Sequence, residues 1–320
     1  MKTKNNRIVV VIPYYNASKH IASVINKLPD YIDGIIIVND KSPDVLPFEI
    51  IKSEKNQKTE LFIIDCEVNL GVGGATKKGF QFAIEKGFDI VIKVDADDQM
   101  DISYLPEMIK PLIENKAHVS KGNRFKRTKE LKKMPLVRRI GNLGISFLAK
   151  IATGYWNNFD PTNGFIAIKT NVLKDIDFEN LSNRYFFETS LLSEFYFNGV
   201  KIKDITMPAI YGDEKSSMKV WKMPFVFSFN LLKLFVKRIL KSYFLYDFNI
   251  GSVYLIFGKL LFLFGLIFGG MNWHHYAQIK TPTPTGTIMI ATISLILGFQ
   301  LLLQFIQYDI FNAPKVVDNE

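Results

Sequence analysis

The chain has 320 residues, 48% hydrophobic and 22% charged, with a formal net charge of +9. That length suits one large domain plus a smaller appendage, and the composition excludes wholesale disorder. The single cysteine, Cys66, excludes an internal disulfide framework or a multi-cysteine metal site, while the basic balance favours an anionic partner such as nucleic acid, a phosphorylated ligand or anionic lipid.

The N-terminus, MKTKNNRIVVVIPYYN, has an apolar run too short for a signal peptide and no small-residue cleavage site. The first domain is therefore expected to stay on the side of the membrane where it is synthesised. Strands are predicted at Arg7–Tyr15, Gly34–Asp40, Leu61–Cys66 and Asp89–Ala96, rich in Val and Ile and almost continuously apolar. Strands buried on both faces of a parallel sheet read this way. Cys66 is expected to be one of their buried residues. Helices are predicted between them at Ser18–Leu28, Gly73–Lys86 and Ser103–Glu114; in the first, Ile21, Val24, Ile25 and Leu28 fall on one stripe. Further strands are predicted at His118–Arg124, Gly164–Lys169 and Lys201–Met207. The alternation implies right-handed βαβ units in an open α/β sheet.

Past residue 218 the composition changes. Trp221–Phe248 is apolar and aromatic but carries Lys222, Lys233, Lys237, Arg238 and Lys241, the pattern of an amphipathic helix lying in a membrane interface. Ile250–Gly270 and Thr287–Tyr308 are apolar runs of about 20 residues, the length that crosses a hydrocarbon core. They are read as two transmembrane helices; two buried helices of a soluble core are the alternative, disfavoured by the intervening TPTPTG. Lys259 lies inside the first run, where it faces the partner helix or snorkels. Gly265 and Gly269 form a small-xxx-small pair, a weak association signal that leaves a homo-oligomer open. Basic residues crowd the approach to the first span and the loop between spans holds only Lys280, so the large domain is expected in the cytoplasm. The expected organisation is a catalytic domain over 1–218, juxtamembrane helices over 219–248, spans within 249–308 and a cytoplasmic tail over 309–320.

The strongest chemical signal is IVIKVDADDQ, residues 90–99. A buried strand ends in acidic residues, at the sheet edge where α/β proteins bind ligands. Asp95 and Asp97 can reach one hard cation, Mg²⁺ or Mn²⁺, whose remaining sites a diphosphate fills. Acidic residues after a strand also serve as helix caps and solvated turns; Asp98 is read as solvated or structural. Tyr15 and Asn16, closing the first strand, suit stacking on and hydrogen bonding to a base or ribose. Asp40, closing the second, suits a uracil or ribose donor. Asn69–Ala75 (NLGVGGA), with Gly71 and Gly74, is either a plain turn or one that admits a phosphate. Arg124 ends a strand, and Arg138 and Arg139 open a predicted helix; their planar forks suit a phosphate, though the pair also suits solvent or lipid headgroups.

The ordered set IPYYN, VND, NLGVGGA, VDADDQ and GNRF resembles the family 2 glycosyltransferases with their GT-A nucleotide-diphospho-sugar fold, and more narrowly the polyprenyl- and dolichyl-phosphate glycosyltransferases. The resemblance covers about the first 215 residues. It implies that Asp95, Asp97 and Gln99 bind the metal and donor diphosphate. It implies donor contacts at Pro13, Tyr15, Asn16 and Asp40, and an acceptor phosphate held by Arg124 with Arg138 or Arg139. Asp160 matches the acidic position before a Gly-Phe strand, Glu188 opens a predicted helix, and Lys215 sits in a segment similar to a donor-closing loop. The sequence departs from the family's commoner pattern at Ala17, Val72 and Asn39, which bears on donor identity.

The implied reaction is an inverting transfer from a nucleotide-diphosphate sugar, a UDP-sugar favoured, to a polyprenyl phosphate at the cytoplasmic face of a membrane, expected to be a bacterial inner membrane. One rival is a membrane-bound transferase with a sugar hydroxyl acceptor. The processive enzymes of that kind carry Gln-x-x-Arg-Trp, which is absent from this sequence. The other rival is a non-catalytic lipid- or anion-binding protein. No nucleic-acid-binding signature is evident.

Overall fold

A computed structural model of the chain describes residues 6–49, 59–124, 136–208 and 223–316, with side chains omitted at 136–142 and 223–226. The chain divides into two compact units, Met1–Phe235 with Pro314–Glu320, and Val236–Ala313.

The first unit is built on a seven-stranded sheet: β1 (Ile8–Tyr14), β2 (Gly34–Asn39), β3 (Glu60–Asp65), β4 (Ile90–Lys93), β5 (Val119–Asn123), β6 (Ile166–Lys169) and β7 (Ile202–Thr206), ordered β3-β2-β1-β4-β6-β5-β7. The helices are α1 (Ile21–Lys27), α2 (Gly71–Glu85), α3 (Leu105–Ile113), α4 (Leu136–Thr153), α5 (Thr170–Lys174), α6 (Phe187–Phe197) and the start of α7 (Met223–Leu240). Every residue of β1 is buried, because a layer of helices covers each face of the sheet. On one face Val10 and Ile12 meet Ile21 and Ile25 of α1 and Met108 and Leu112 of α3. On the other Val9 and Val11 meet Ala75 and Phe80 of α2 and Phe187 and Leu191 of α6. Cys66 is buried in this second layer, as expected, but it follows the last residue of β3 rather than lying within the strand.

The sheet is mixed rather than wholly parallel. β6 runs antiparallel to both β4 and β5, between which it is inserted. Near-continuous apolarity reports burial on two faces, not strand direction, so the sequence does not distinguish these cases. Predicted elements and observed ones agree to within a few residues, with one consequential difference. β4 stops at Lys93, so Asp95 and Asp97 stand beyond the strand in a loop.

The second unit contains the end of α7, a π turn (Lys241–Leu245), and the antiparallel pair α8 (Ile250–Gln278) and α9 (Thr285–Phe311). Asn249 caps α8 reciprocally: its side chain accepts from Gly251 N–H at 2.9 Å, and Ser252 Oγ accepts from Asn249 N–H at 3.1 Å. α8 runs on past the predicted Gly270 because MNWHHYAQ has no breaker; the helix stops just before TPTP. Both helices are long and apolar enough to cross a membrane. Their backbones approach closely at Gly258, Gly265 and Gly298; a Cβ on Gly298 would stand 2.4 Å from Phe262 N. Lys259 is exposed rather than turned toward its neighbouring helix. At one end of this unit Arg238 makes a bidentate pair with Asp309 at 2.6 and 3.0 Å, and Tyr243 O–H donates to the same carboxylate at 2.7 Å.

Candidate active site

β2, β1 and β4 are neighbours, and their carboxyl ends carry the residues singled out in the sequence. Pro13 is buried within β1, while Tyr15 and Asn16 project beyond it, Tyr15 54% exposed. Asn16 has a φ of 52°, and its N–H donates to Ser42 Oγ at 2.6 Å. Asp44 ties the same two loops together, accepting from Ser42 Oγ and, at 2.8 Å, from Ser18 N–H. Burial opposes ionisation of Asp44, but the Ser42 hydroxyl and Ser18 amide outweigh it and lower its pKa to about 2.

Asp40 is buried, and its carboxylate accepts from Leu70 N–H at 2.6 Å and Gly71 N–H at 2.8 Å. Gly74 N–H donates to Asn183 C=O at 3.0 Å. The glycine turn is thus held by internal contacts, which correct its reading as an open phosphate cradle at these N–H groups. Gly71 has a φ of +82°, and a Cβ there would also stand 2.7 Å from Asn183 O, so glycine is required twice over.

At the end of β4, Gln99 N–H donates to Asp97 Oδ1 at 3.1 Å, in a turn that gathers the two residues. Asp98, at a φ of 59°, is bound by Lys27 and Ser23, which gives it the structural role expected. Asp95 is held from below. Lys93, 1% exposed, reaches Asp95 Oδ1 at 2.5 Å and Glu188 Oε1 at 3.2 Å. Burial alone would lower the Lys93 pKa; the Asp95 and Glu188 carboxylates more than offset it and raise it. Among the described residues no three His, Cys, Asp or Glu gather into a metal-holding cluster. The donor set at this strand end is two carboxylates and an amide. That fits a Mg²⁺ or Mn²⁺ ion that takes few protein oxygens and completes its shell with diphosphate.

The other half of the site lies at the end of β5. Arg124 Nε and NH2 donate to the two oxygens of Asp160 at 2.7 and 2.8 Å. Asp160 is fully buried at a φ of 58°. Burial would raise its pKa, but Arg124 and then Lys121 prevail and lower it. Lys121, also buried, donates to the Asp160 backbone carbonyl, and burial lowers its own pKa. Asp204 anchors the loop before β6, accepting from Asn123, Asn158 and the Phe159 amide. The side chains of Arg138 and Arg139, which start α4, and all of Lys215 lie outside the described residues.

Sequence reasoning missed Lys93 and Lys121. The signal was present: each is the single lysine of a predicted strand, in IVIKVD and HVSKGN. Charged residues at such positions are almost always paired, so a partner was implied.

A mixed α/β sheet with an Asp-x-Asp loop at the carboxyl end of its central strand is the frame of a GT-A-type fold. Residues 9–177 match the Glycosyl transferase family 2 description. A Methanococcus voltae protein named UDP-N-acetylglucosamine–dolichyl-phosphate N-acetylglucosaminyltransferase is 33% identical over 217 residues, which are 64% of this chain and 86% of the relative. An undecaprenyl-phosphate mannosyltransferase of Micrococcus luteus is 24% identical over 56% of this chain and 72% of its own. Glucosyl-3-phosphoglycerate synthase of Mycobacterium tuberculosis, crystallised with Mn²⁺, UDP and glucosyl-3-phosphoglycerate, shares the fold with a TM-score of 0.53 at 17% identity, over 73% of this chain and 80% of its own. This chain belongs to glycosyl transferase family 2 and is a glycosyltransferase related to the dolichyl- and polyprenyl-phosphate sugar transferases.

Proposed function

We propose that the enzyme transfers a sugar, with inversion, from a UDP-sugar to a polyprenyl phosphate at a membrane surface, with UDP-N-acetylglucosamine the first donor to test. The observation that carries this reading is one chain holding an Asp-x-Asp donor loop at its sheet centre and two helices long enough to span a membrane. The most similar of the relatives described above acts, by its name, on that donor and a lipid phosphate. α7 supports the membrane setting: Phe229, Leu232, Val236 and Leu240 form an exposed apolar stripe, with Lys233 set over Phe229.

In the reaction a lipid phosphate oxygen attacks the anomeric carbon, the bond from that carbon to the diphosphate oxygen breaks, and UDP leaves. A phosphate monoester has a second pKa of about 6, so at neutral pH the acceptor is already a nucleophile. No residue need take a proton from it. Asp95, Asp97 and Gln99 would hold Mg²⁺ or Mn²⁺, which when bound neutralises the leaving diphosphate. Tyr15 offers a face for the base. Arg124, oriented by Asp160, would bind the acceptor phosphate. The alternative, a sugar hydroxyl acceptor, needs a general base, and Asp160 is poorly suited because both its oxygens are bonded to Arg124.

The test supplies radiolabelled UDP-sugars and GDP-mannose, one at a time, with undecaprenyl or dolichyl phosphate and Mg²⁺ or Mn²⁺. Label from UDP-N-acetylglucosamine is expected in the organic phase. Label appearing only on an added saccharide would replace this reading with the hydroxyl-acceptor one.

A further inference from the structure

Lys93 poses a question that the transfer reaction alone does not answer. Its ammonium is buried at the level of the sheet, in register with Ile166 of β6, and Lys121 of β5 flanks the same residue from the other side. A buried charge contributes little to a fold, and a well-packed apolar side chain of similar volume often does as well or better. Stability therefore gives a weak reason for a lysine here. Its position gives a stronger one. Lys93 bridges Asp95, in the donor loop, and Glu188, in the first turn of α6. Gly164 forms the floor on which the three meet. A Cβ on Gly164 would stand 2.5 Å from Lys93 Nζ, 3.0 Å from Asp95 Oδ2 and 3.3 Å from Glu188 Oε1. The charge of Glu188 also reaches Lys121, beside the Asp160–Arg124 pair.

We propose that Lys93 and Glu188, seated on Gly164, are positioning residues that fix the Asp95 carboxylate in the orientation that receives the donor's divalent cation. This rests on the reading of Asp95 as a residue of the metal and donor site. Lys93 alone would compete with the cation for Asp95. Glu188 shares the ammonium, limits that competition and leaves the Lys93–Asp95–Glu188 group one negative charge in excess. Lys93 in turn neutralises Glu188, which is 11% exposed, and so commits it to the brace rather than to proton transfer. Groups that orient a metal's ligands typically govern metal affinity, by about 10- to 100-fold.

The test measures UDP binding to the full-length protein by calorimetry across a Mn²⁺ series, with the Mn²⁺ spin-resonance signal as a second readout. Glu188→Gln keeps the side-chain volume and leaves Lys93 to Asp95 alone. Its Mn²⁺-dependent UDP affinity is expected to fall about 10-fold, with metal-free UDP binding unchanged. Gly164→Ala, which alters no charge, is expected to act in the same direction by displacing all three groups. The double variant K93M/E188Q removes both buried charges together, so its fold carries no orphaned ion, and it is expected to show the same loss. A lowered melting temperature with unchanged Mn²⁺ affinity in these variants would reduce the brace to a packing element and overturn the proposal. Wild-type protein that binds UDP with no metal dependence would instead remove the donor-site reading beneath it.

Discussion

Asp160 and Arg124 share one fork of hydrogen bonds, and that limits what each can do. A carboxylate held by Nε and NH2 of one guanidinium, with its pKa lowered, is a poor proton acceptor and a good orienting group. Asp160→Asn is therefore expected to raise the KM for the lipid phosphate about 10-fold with kcat largely kept. A collapse of kcat at constant KM would make Asp160 the base. In contrast, Asp97→Ala is expected to reduce kcat on the order of 10²-fold or more, because it weakens charge stabilisation in the transition state. Circular dichroism should confirm that the variant keeps its fold. The lowered carboxylates also set an acid limit. A depressed pKa gives stability that is complete above the ordinary carboxylate range and is lost as pH falls through the folded-state value, about 2 for Asp44. Melting temperature should fall between about pH 4 and pH 2, and less steeply in Asp44→Asn. Asp40, Asp95 and Asp97 stood out in the sequence because they follow apolar runs at strand ends, whereas Asp160, in NNFDPTNG, was singled out only by the family resemblance. Their partners did not stand out. That Arg124 faces Asp160, 36 residues away, follows from β6 lying beside β5 and from no local pattern.

Among the elements, the strands and the two long apolar helices were the most readable. β1, β2 and β4 are nearly uninterrupted apolar runs, and α8 and α9 are both long and apolar enough to cross a membrane. The antiparallel course of β6 was not readable, because GFIAIK has the same composition as a parallel strand buried on both faces. The weak small-residue signal at Gly265 and Gly269 acquires a definite meaning: glycines set the approach of α8 to α9 within one chain. Gly298→Val is expected to destabilise this pair by about 1–3 kcal/mol, through overpacking against the Phe262 backbone. Asp309→Ala leaves Arg238 buried without its carboxylate and is expected to cost about 3–5 kcal/mol. Unfolding in detergent, followed by far-ultraviolet circular dichroism, measures both. A loss below about 1 kcal/mol for Asp309→Ala would show that the pair is solvated rather than buried.

For the whole molecule, sequence order supplied the family where single motifs were ambiguous. NLGVGGA alone is a turn, and the structure shows its N–H groups at Leu70, Gly71 and Gly74 already bonded. VDADDQ alone admits a helix cap. Met in chain order on successive strands, with span-length helices after them, they describe a transferase domain joined to apolar helices. In the proposed reaction the acceptor oxygen belongs to a lipid phosphate. Mass spectrometry of the lipid formed from UDP-N-acetylglucosamine, polyprenyl phosphate and Mn²⁺ tests this most directly. The expected product is one sugar joined to the lipid through a single phosphate. A lipid diphosphate, or a sugar attached to a saccharide hydroxyl with the lipid phosphate unconsumed, would contradict it.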